Sequence, residues 1–396
     1  MSHLRFGKSP IKSTYLIHQA NFVACHNPSY VDKYNMVQEL VDGGTFLLNC
    51  PWDMEGLEKH LPGQVKAYIA NHNIKFYTID GIKIGKEIGL GGRINTVLQS
   101  AFFKLAEIIP EEEAISLMKA AAKATYGRKG DKIVQMNYDA IDAGAKQVVE
   151  IEVPESWKDA ADEGLAVPHI DENGRKDVID FVKNIQTKVN AQEGNSLPVS
   201  AFTDYADGST PSGSSAYEKR GIAVDIPIWQ PDNCIQCNRC AYVCPHAVIR
   251  PVALTEEEAA NAPEGMQSIP MIGMPDMKFA ITVSAYDCTG CGSCANVCPG
   301  KKGEKALVMG NMEENAGKQT FFDYGREIPV KPEVVAKYKE TTVKGSQFKQ
   351  PLLEFSGACA GCGETPYAKL ITQLFGERMY ICLLYTSPSP RDISGS

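Results

Sequence analysis

Short apolar runs alternate with segments of helical periodicity over residues 1–155, a pattern that is typical of α/β domains. The runs Asn21–Cys25 and Thr45–Asn49 predict buried parallel strands, and Val31–Leu40 between them predicts a crossover helix that ends at the glycines at 43 and 44. A third strand and four further helices are predicted: helix Val65–Asn73, strand Ile74–Ile79, and helices from Gly89 to about Ile108, over Glu111–Tyr126 and over Asp131–Val149.

The pattern changes after residue 155, where polar residues, Gly and Ser become more frequent. We expect residues 156–230 to form a connector or small domain, extended over about 190–230, with a strand at Ile222–Trp229. A second spacer is expected over 311–350, with one helix near Pro332–Lys339.

Composition and charge limit the function classes. The chain has 396 residues, 43% of them hydrophobic and 22% charged, so most of it can form packed cores. The formal net charge of −8 provides no basic surface for nucleic acid. Thirteen Cys without a secretory signal indicate reduced thiols and metal rather than disulfides. No apolar run reaches membrane-spanning length, so we expect a cytoplasmic protein of an oxygen-poor cell.

Two runs of four cysteines carry the strongest chemical signal. C-I-Q-C-N-R-C-A-Y-V-C-P begins at Cys234 and C-T-G-C-G-S-C-A-N-V-C-P begins at Cys288. Both read C-x2-C-x2-C-x3-C-P, the bacterial ferredoxin signature of 4Fe–4S clusters. Two-residue gaps let three sulfur atoms converge from one loop. We expect the fourth Cys to begin a short helix directed toward the other cluster, with Pro245 and Pro299 turning the chain away.

This reasoning predicts that each cluster takes its fourth ligand from the other run. Cluster one is assigned to Cys234, Cys237, Cys240 and Cys298, and cluster two to Cys288, Cys291, Cys294 and Cys244. The alternative is a pair of zinc sites with four thiolates each, which two identical runs ending in Cys-Pro do not favour. An insert, Leu254–Lys278, separates the runs, and Phe279–Val283 after it predicts a strand.

Two further motifs are incomplete by themselves. G-L-G-G from Gly89 could hold a phosphate on free backbone N–H groups or could be a tight packing turn. Cys359 and Cys362 form another C-x2-C pair among glycines, before a predicted helix start at Thr365-Pro366. Two Cys cannot complete a metal site, so this pair predicts a half-site whose other ligands lie elsewhere.

The motifs taken together resemble a known family. The following motifs occur in this order: S-H-L-R-F-G-K-S-P-I, N-F-V-A-C-H-N, G-L-G-G-R-I-N-T-V-L-Q, S-A-Y-E-K-R-G-I-A-V, the double cysteine run and G-A-C-A-G-C-G-E-T-P-Y. With these motifs, the chain is similar to pyruvate:ferredoxin (or flavodoxin) oxidoreductases from about residue 2 to Ile381. The resemblance implies a multidomain, usually homodimeric enzyme of anaerobic metabolism. It would oxidatively decarboxylate pyruvate on thiamine diphosphate and Mg²⁺, form acetyl-CoA, and send electrons through three 4Fe–4S clusters to ferredoxin or flavodoxin.

The resemblance also implies roles for residues outside the two runs. Cys359 and Cys362 would be two ligands of the cluster nearest the thiamine, and Glu364 would contact the thiamine diphosphate. Asn95 and Asn137 would face coenzyme A. The eight cysteines of the double motif would hold the medial and distal clusters, and no catalytic residue is assigned within this chain.

The departures from the family pattern lead us to expect an internal fragment that is inactive in pyruvate turnover by itself. The proximal cluster's third Cys should stand at position 387, which is Ser. Residues 382–396 resemble nothing in the family and suggest a non-native tail, so Cys382 is not expected to be a ligand. The segments expected to bind the substrate, the magnesium and the diphosphate are absent from the sequence.

The expected fold is multidomain, α/β plus α+β. Its parts are a partial Rossmann-like domain (1–155), the connector (156–230), a two-cluster ferredoxin-like domain (231–310, insert 254–278), the spacer (311–350), the start of a thiamine-binding domain (351–381) and the tail (382–396). The alternative function is a dedicated iron–sulfur electron-transfer subunit of another oxidoreductase, and a scaffold with structural metal is a third hypothesis. A plain electron carrier would need neither the α/β domain nor the Cys359–Cys362 pair.

Overall fold

The chain divides into two compact units, seen in a computed structural model that describes residues 3–7, 9–12, 16–161 and 174–379. The first unit comprises residues 1–167 with 191–193, and the second comprises 168–190 with 194–396. The 382–396 tail, with Cys382 and Ser387, lies outside the described residues. No helix among the described residues is long and apolar enough to span a bilayer.

The first unit is organised around a four-stranded sheet in the order β1-β2-β3-β4, of which the first three strands are parallel and β4 is antiparallel. The strands are β1 Ala20–Cys25, β2 Leu40–Asn49, β3 Lys75–Ile79 and β4 Val149–Glu150. Phe46 and Leu48 enter one core and Leu47 enters the other, each almost wholly buried. Since successive side chains alternate across a strand, β2 is buried on both faces, which confirms the predicted parallel strands.

Helices cover both faces of this sheet: α1 Met54–His60, α2 Gly63–Asn71, α3 Gly81–Ile88, α4 Asn95–Ala106, α5 Glu111–Tyr126 and α6 Asp131–Lys146. Helices α1 and α2 bury Leu57, Val65 and Ile69 in one core. Val97 of α4 and Ala140 of α6 lie in the other. The unit is therefore a three-layer α/β structure.

The predicted crossover helix over Val31–Leu40 is wrong. The segment is a 3₁₀ turn at Pro28–Tyr30 followed by further turns, and Leu40 already belongs to β2. Val31 and Val37 are both fully buried. Residues six apart lie on different faces of an α-helix, so burial of both is better served by an irregular path. Gly43, with φ of +70°, lies within β2 and ends no helix.

The glycine run at 89–92 ends a helix that the sequence reasoning missed. Gly89 caps α3 in the left-handed conformation, with φ of +88°. Leu90 and Gly91 both donate their N–H groups to Gly85 O, at 2.8 and 3.0 Å. Because these donors are occupied as in a helix C-cap, the run serves mainly as the tight turn between α3 and α4.

The connector contains more helix than expected near its start. Helices α7 Lys176–Phe181 and α8 Thr187–Asn190 are joined by a π turn over Val182–Gln186. From Gly194 to Tyr217 the described chain has only 3₁₀ turns, consistent with its Gly and Ser content. The strand expected at Ile222–Trp229 is present as β5 Asp225–Trp229.

Strand pairing in the second unit joins the surroundings of the two cysteine runs. The strands are β5, β6 Ile249–Leu254, β7 Ile269–Met271, β8 Met274–Val283 and β9 Leu307–Asn311. Strand β5, before the first run, pairs antiparallel with β9, after the second. Strand β6, after the first run, pairs antiparallel with β8, before the second. Each pairing brings the start of one run close to the end of the other.

The insert between the runs folds as helix α10 Glu256–Ala260 and the β7–β8 hairpin, and it buries Met271 and Met277. Residues 311–350 contain α12 Met312–Asn315, α13 Gln319–Glu327, α14 Pro332–Lys337 and α15 Val343–Ser346, of which only α14 was predicted. Phe322, Val334 and Phe348 join the same hydrophobic core as the cysteine runs. The helix predicted at Thr365 is confirmed as α16 Thr365–Phe375.

We expect Gly144→Ala to destabilise the first unit by roughly 1–3 kcal/mol, because overpacking forces helices apart. A Cβ at Gly144 of α6 would lie 2.2 Å from Val97 O of α4. Gly127→Ala is the matched control, since its Cβ would have no heavy atom within 4 Å. Urea unfolding followed by circular dichroism measures both. Equal midpoints for the two variants would contradict the close α4–α6 contact.

Candidate metal centres

Each cysteine run curls through two left-handed residues. In the second run these are Gly290 and Gly292, with φ of +66° and +73°. At the equivalent positions of the first run stand Gln236 and Asn238, with φ of +55° and +58°. Glycine accepts this conformation without steric cost, whereas the two longer residues need compensation.

That compensation comes from side-chain hydrogen bonds of the first run. Gln236 is buried, and its amide donates to Pro270 O at 2.7 Å and accepts from Ile272 N at 2.8 Å. Asn238 donates to Lys344 O at 2.9 Å. Thus the insert hairpin and α15 hold the first loop in the shape that glycine allows in the second.

The first cavity, here cavity A, lies where the first run meets the end of the second. Four thiols line it: Cys234, Cys237, Cys240 and Cys298. Gln236 N donates to Cys234 Sγ at 3.4 Å, and Ala306 N donates to Cys298 Sγ at 3.3 Å. Backbone N–H groups directed at sulfur stabilise thiolates.

The second cavity, cavity B, lies where the second run meets the end of the first. The thiols that line it are those of Cys244, Cys288, Cys291 and Cys294. Gly290 N donates to Cys288 Sγ at 3.4 Å, the same contact that Gln236 makes in cavity A. Each cavity thus contains three thiols of one run and the last thiol of the other. The last cysteine of each run ends a short helix, α9 Arg239–Val243 or α11 Ser293–Val297, rather than beginning one as predicted.

The donor set of each cavity fits a multi-atom cluster. Among the residues described here, no three His, Cys, Asp or Glu side chains converge as a single metal ion requires. Four thiols surround an open volume instead. Within the described part of the chain, Thr289 Oγ1 and His246 Nε2, both buried at cavity B, have no hydrogen-bond partner. The Thr289 hydroxyl is free to donate to a cluster sulfur, so cavity B fits a 4Fe–4S group.

Burial favours the protonated form of some of the cavity thiols in the metal-free chain. It raises the pKa of Cys288 and of Cys294 to about 12 and that of Cys240 well above its usual value. Burial also raises the pKa of Cys234, against a lowering by the Trp229 indole N–H. Since metal ligands must be thiolates, cluster binding has to release these protons.

The Cys359–Cys362 pair lies beside cavity B. A Cβ at Gly361 would lie 3.5 Å from Cys291 Cβ and 3.6 Å from Ser293 Oγ. Cys359 is exposed and Cys362 is partly exposed at the start of α16. Hydrogen bonds from the Thr365 side chain, the Thr365 backbone and the Glu364 backbone lower the pKa of Cys362. Glu364 is exposed at the same helix start.

The two asparagines expected to face coenzyme A differ in the exposure of their side chains. Asn95 is exposed at the first residue of α4. Asn137 is only 5% exposed, and its amide nitrogen donates to Ile133 O at 2.8 Å within α6.

Sequence reasoning missed the supporting residues Gln236 and Thr289. Gln236 could have been identified by aligning the two runs, because it stands at the position that a glycine has in the second run.

The double cysteine run and its strand pairing define an iron–sulfur electron-transfer class of protein, and comparison with known proteins supports this. A sequence model described as "4Fe-4S dicluster domain" matches residues 233–302. One described as "Pyruvate ferredoxin/flavodoxin oxidoreductase" matches residues 1–147, and a "Domain of unknown function" matches 169–223.

Curated relatives extend the likeness to most of the chain. The chain is 52% identical to the pyruvate:ferredoxin oxidoreductase of Moorella thermoacetica and 50% identical to the pyruvate-flavodoxin oxidoreductase of Enterobacter agglomerans, in each case over 96% of its length. It is 46% identical to a pyruvate dehydrogenase [NADP(+)] of Cryptosporidium parvum, covering 20% of that protein. The chain spans about a third of the two bacterial relatives, 32% and 31%. The chain is therefore similar to pyruvate:ferredoxin/flavodoxin oxidoreductases over nearly its whole length.

Paired substitutions test which thiols share a cluster. If each cavity holds one cluster, Cys234→Ser with Cys298→Ser removes ligands of cavity A only and leaves about four iron per chain. Cys288→Ser with Cys298→Ser, the matched control, removes a ligand from each cavity and leaves almost none. Iron analysis and electron paramagnetic resonance (EPR) of anaerobically reconstituted protein distinguish the two. The reverse pattern would mean that each run binds its own cluster.

Alkylation tests the Cys359–Cys362 pair. In the reconstituted chain we expect iodoacetamide to label Cys359 and Cys362 but not the buried Cys25 and Cys50. Because its pKa is lowered, Cys362 should still be labelled at pH values where the alkylation of an ordinary thiol slows. Its labelling should be lost only as the pH falls through that lowered pKa. Mass spectrometry of peptides reads each site. Protection of Cys359 and Cys362 would show that this pair already binds a group.

Proposed function

We propose that this chain carries the internal electron path of a pyruvate:ferredoxin/flavodoxin oxidoreductase. The observation that carries the proposal is the pair of cavities, each with four thiols drawn from both cysteine runs. When bound there, 4Fe–4S clusters would supply one-electron transfer. The protein supplies eight thiolates, N–H donors to sulfur and a buried environment.

The position of the Cys359–Cys362 loop gives this path a direction. The loop approaches Cys291 and Ser293, which line cavity B and not cavity A. We propose that electrons enter from the Cys359–Cys362 side, pass cavity B and leave from cavity A. Relatives are named for ferredoxin and flavodoxin, so an acceptor of either kind is proposed to dock near cavity A.

The remaining roles of the whole enzyme are also proposals for this chain. Oxidative decarboxylation of pyruvate with coenzyme A, a homodimeric state, and Mg²⁺ and thiamine diphosphate would belong to the full-length protein. Glu364 is proposed to face thiamine diphosphate, since it is exposed beside Cys362. Asn95 and Asn137 are proposed to face coenzyme A, and of the two only Asn95 has an exposed side chain.

We expect the reconstituted chain to accept electrons from dithionite and to reduce an added ferredoxin or flavodoxin. It should show no pyruvate- and coenzyme-A-dependent dye reduction, because thiamine chemistry needs a bound cofactor that two cysteines and Glu364 cannot hold. Anaerobic stopped-flow absorbance measures the first, and steady-state dye assays measure the second. A chain with Cys237→Ser and Cys291→Ser is the control that should transfer nothing. Pyruvate turnover by the chain alone would contradict the proposal that this chain only transfers electrons.

A further inference from the structure

Lys369 of α16 is a buried cation with an unusual set of partners. Its side chain is 1% exposed. The ammonium donates to Ala241 O, to Tyr242 O at 3.2 Å and to Cys244 O at 3.1 Å. Among the described residues it makes no ion pair. All of its acceptors are backbone carbonyls at the end of α9, between Cys240 of cavity A and Cys244 of cavity B.

The equivalent helix of the second run has a lysine in the same place. Lys305 donates to Ala295 O and Asn296 O, both at 2.8 Å, at the end of α11. Ala241 and Ala295 each follow the third cysteine of their run by one position, and Tyr242 and Asn296 follow it by two. Thus each cysteine-bearing helix has an ammonium group at matching carbonyls. Lys305 is exposed to solvent, whereas Lys369 is not.

A buried cation without a carboxylate partner is costly unless other groups stabilise its charge. Three carbonyl dipoles provide part of this. Desolvation lowers the pKa of Lys369 to about 8, and the Arg250 charge lowers it further, while the neighbouring Cys244 and Cys240 favour its charged form. A cluster with four thiolate ligands is anionic and becomes more so on reduction, so its potential depends on nearby charge. Lys369 would therefore stabilise the reduced state more than the oxidised state.

We propose that Lys369 is a positioning residue that raises the reduction potential of the cluster in cavity B, and that Lys305 is its weak, solvent-screened counterpart. This inference rests on the two-cluster function proposed above. Cavity B is the more sensitive of the two, because its ligand Cys244 has its own carbonyl bonded to Lys369. The other cation near Cys244, Arg250, is paired with the Glu354 carboxylate at 3.1 Å.

The direction of the effect suits the proposed path. Electrons arriving from the Cys359–Cys362 side meet cavity B first, and a raised potential there favours their entry. The same residue connects α16, which begins three residues after Cys362, to the helix that carries Cys240. Lys369 therefore joins the entry side of the path to both cavities through one side chain.

The test compares Lys369→Met, Lys369→Gln and Lys305→Met with the unmodified 396-residue chain, all anaerobically reconstituted. Iron analysis and circular dichroism establish cluster content and folding, and EPR-monitored redox titration gives each potential. At the midpoint potential that the cavity B cluster has in the unmodified chain, Lys369→Met should lower the ratio of reduced to oxidised cluster roughly tenfold. This is the order of magnitude expected when a buried unit charge nearby is removed. That corresponds to about 59 mV for a one-electron couple. Lys369→Gln keeps a hydrogen-bond donor without the charge and should shift the potential the same way.

Lys305→Met should leave both potentials almost unchanged, because water screens an exposed charge. Unchanged potentials in both Lys369 variants, or an equal shift in Lys305→Met, would overturn the inference. So would a normal potential in Lys369→Gln with a shift only in Lys369→Met, since this would make the residue a structural hydrogen-bond donor. Loss of iron from both Lys369 variants while the unmodified chain binds it also contradicts a potential-setting role. Failure of the unmodified chain to bind iron would instead contradict the proposed function.

Discussion

The second unit depends on one constraint, which is that the four thiols around each cavity come from both cysteine runs. The pairing of β5 with β9 and of β6 with β8 satisfies it. Each antiparallel ladder links the flank of one run to the flank of the other. The core that contains Ile226, Phe279 and Leu307 is therefore also the support of the cavities.

The support extends well beyond the two runs. Gln236 ties the first run to the insert hairpin, and Asn238 ties it to α15. The insert and the residues after 311 are therefore part of what shapes cavity A. A smaller two-cluster protein could meet the same backbone requirement with glycines, as the second run does at Gly290 and Gly292.

Sequence reasoning identified the regular elements whose pattern is local and missed those determined by distant contacts. The bounds of α5 were predicted to the residue, and β1 to β3 were recognised from their apolar runs. Helix α16 shows why burial that depends on distant contacts could not be predicted from the sequence. It buries Thr365, Lys369 and Gln373 and exposes Tyr367, Ile371 and Phe375, the opposite of an ordinary amphipathic helix. Only the carbonyls of α9, more than a hundred residues away, explain the burial of Lys369.

The exchange of cysteines between the runs has a consequence for synthesis of the protein. On the ribosome, cavity B lacks one thiol until Cys294 has emerged, and cavity A lacks one until Cys298 has emerged. Strand β9, which closes the second ladder, ends later still at Asn311. A nascent chain that stalls between the runs would present the three cavity A thiols of the first run without Cys298, and Cys244 without the other thiols of cavity B. The thiol sets of both cavities are thus completed within four residues of each other, at the end of the second run.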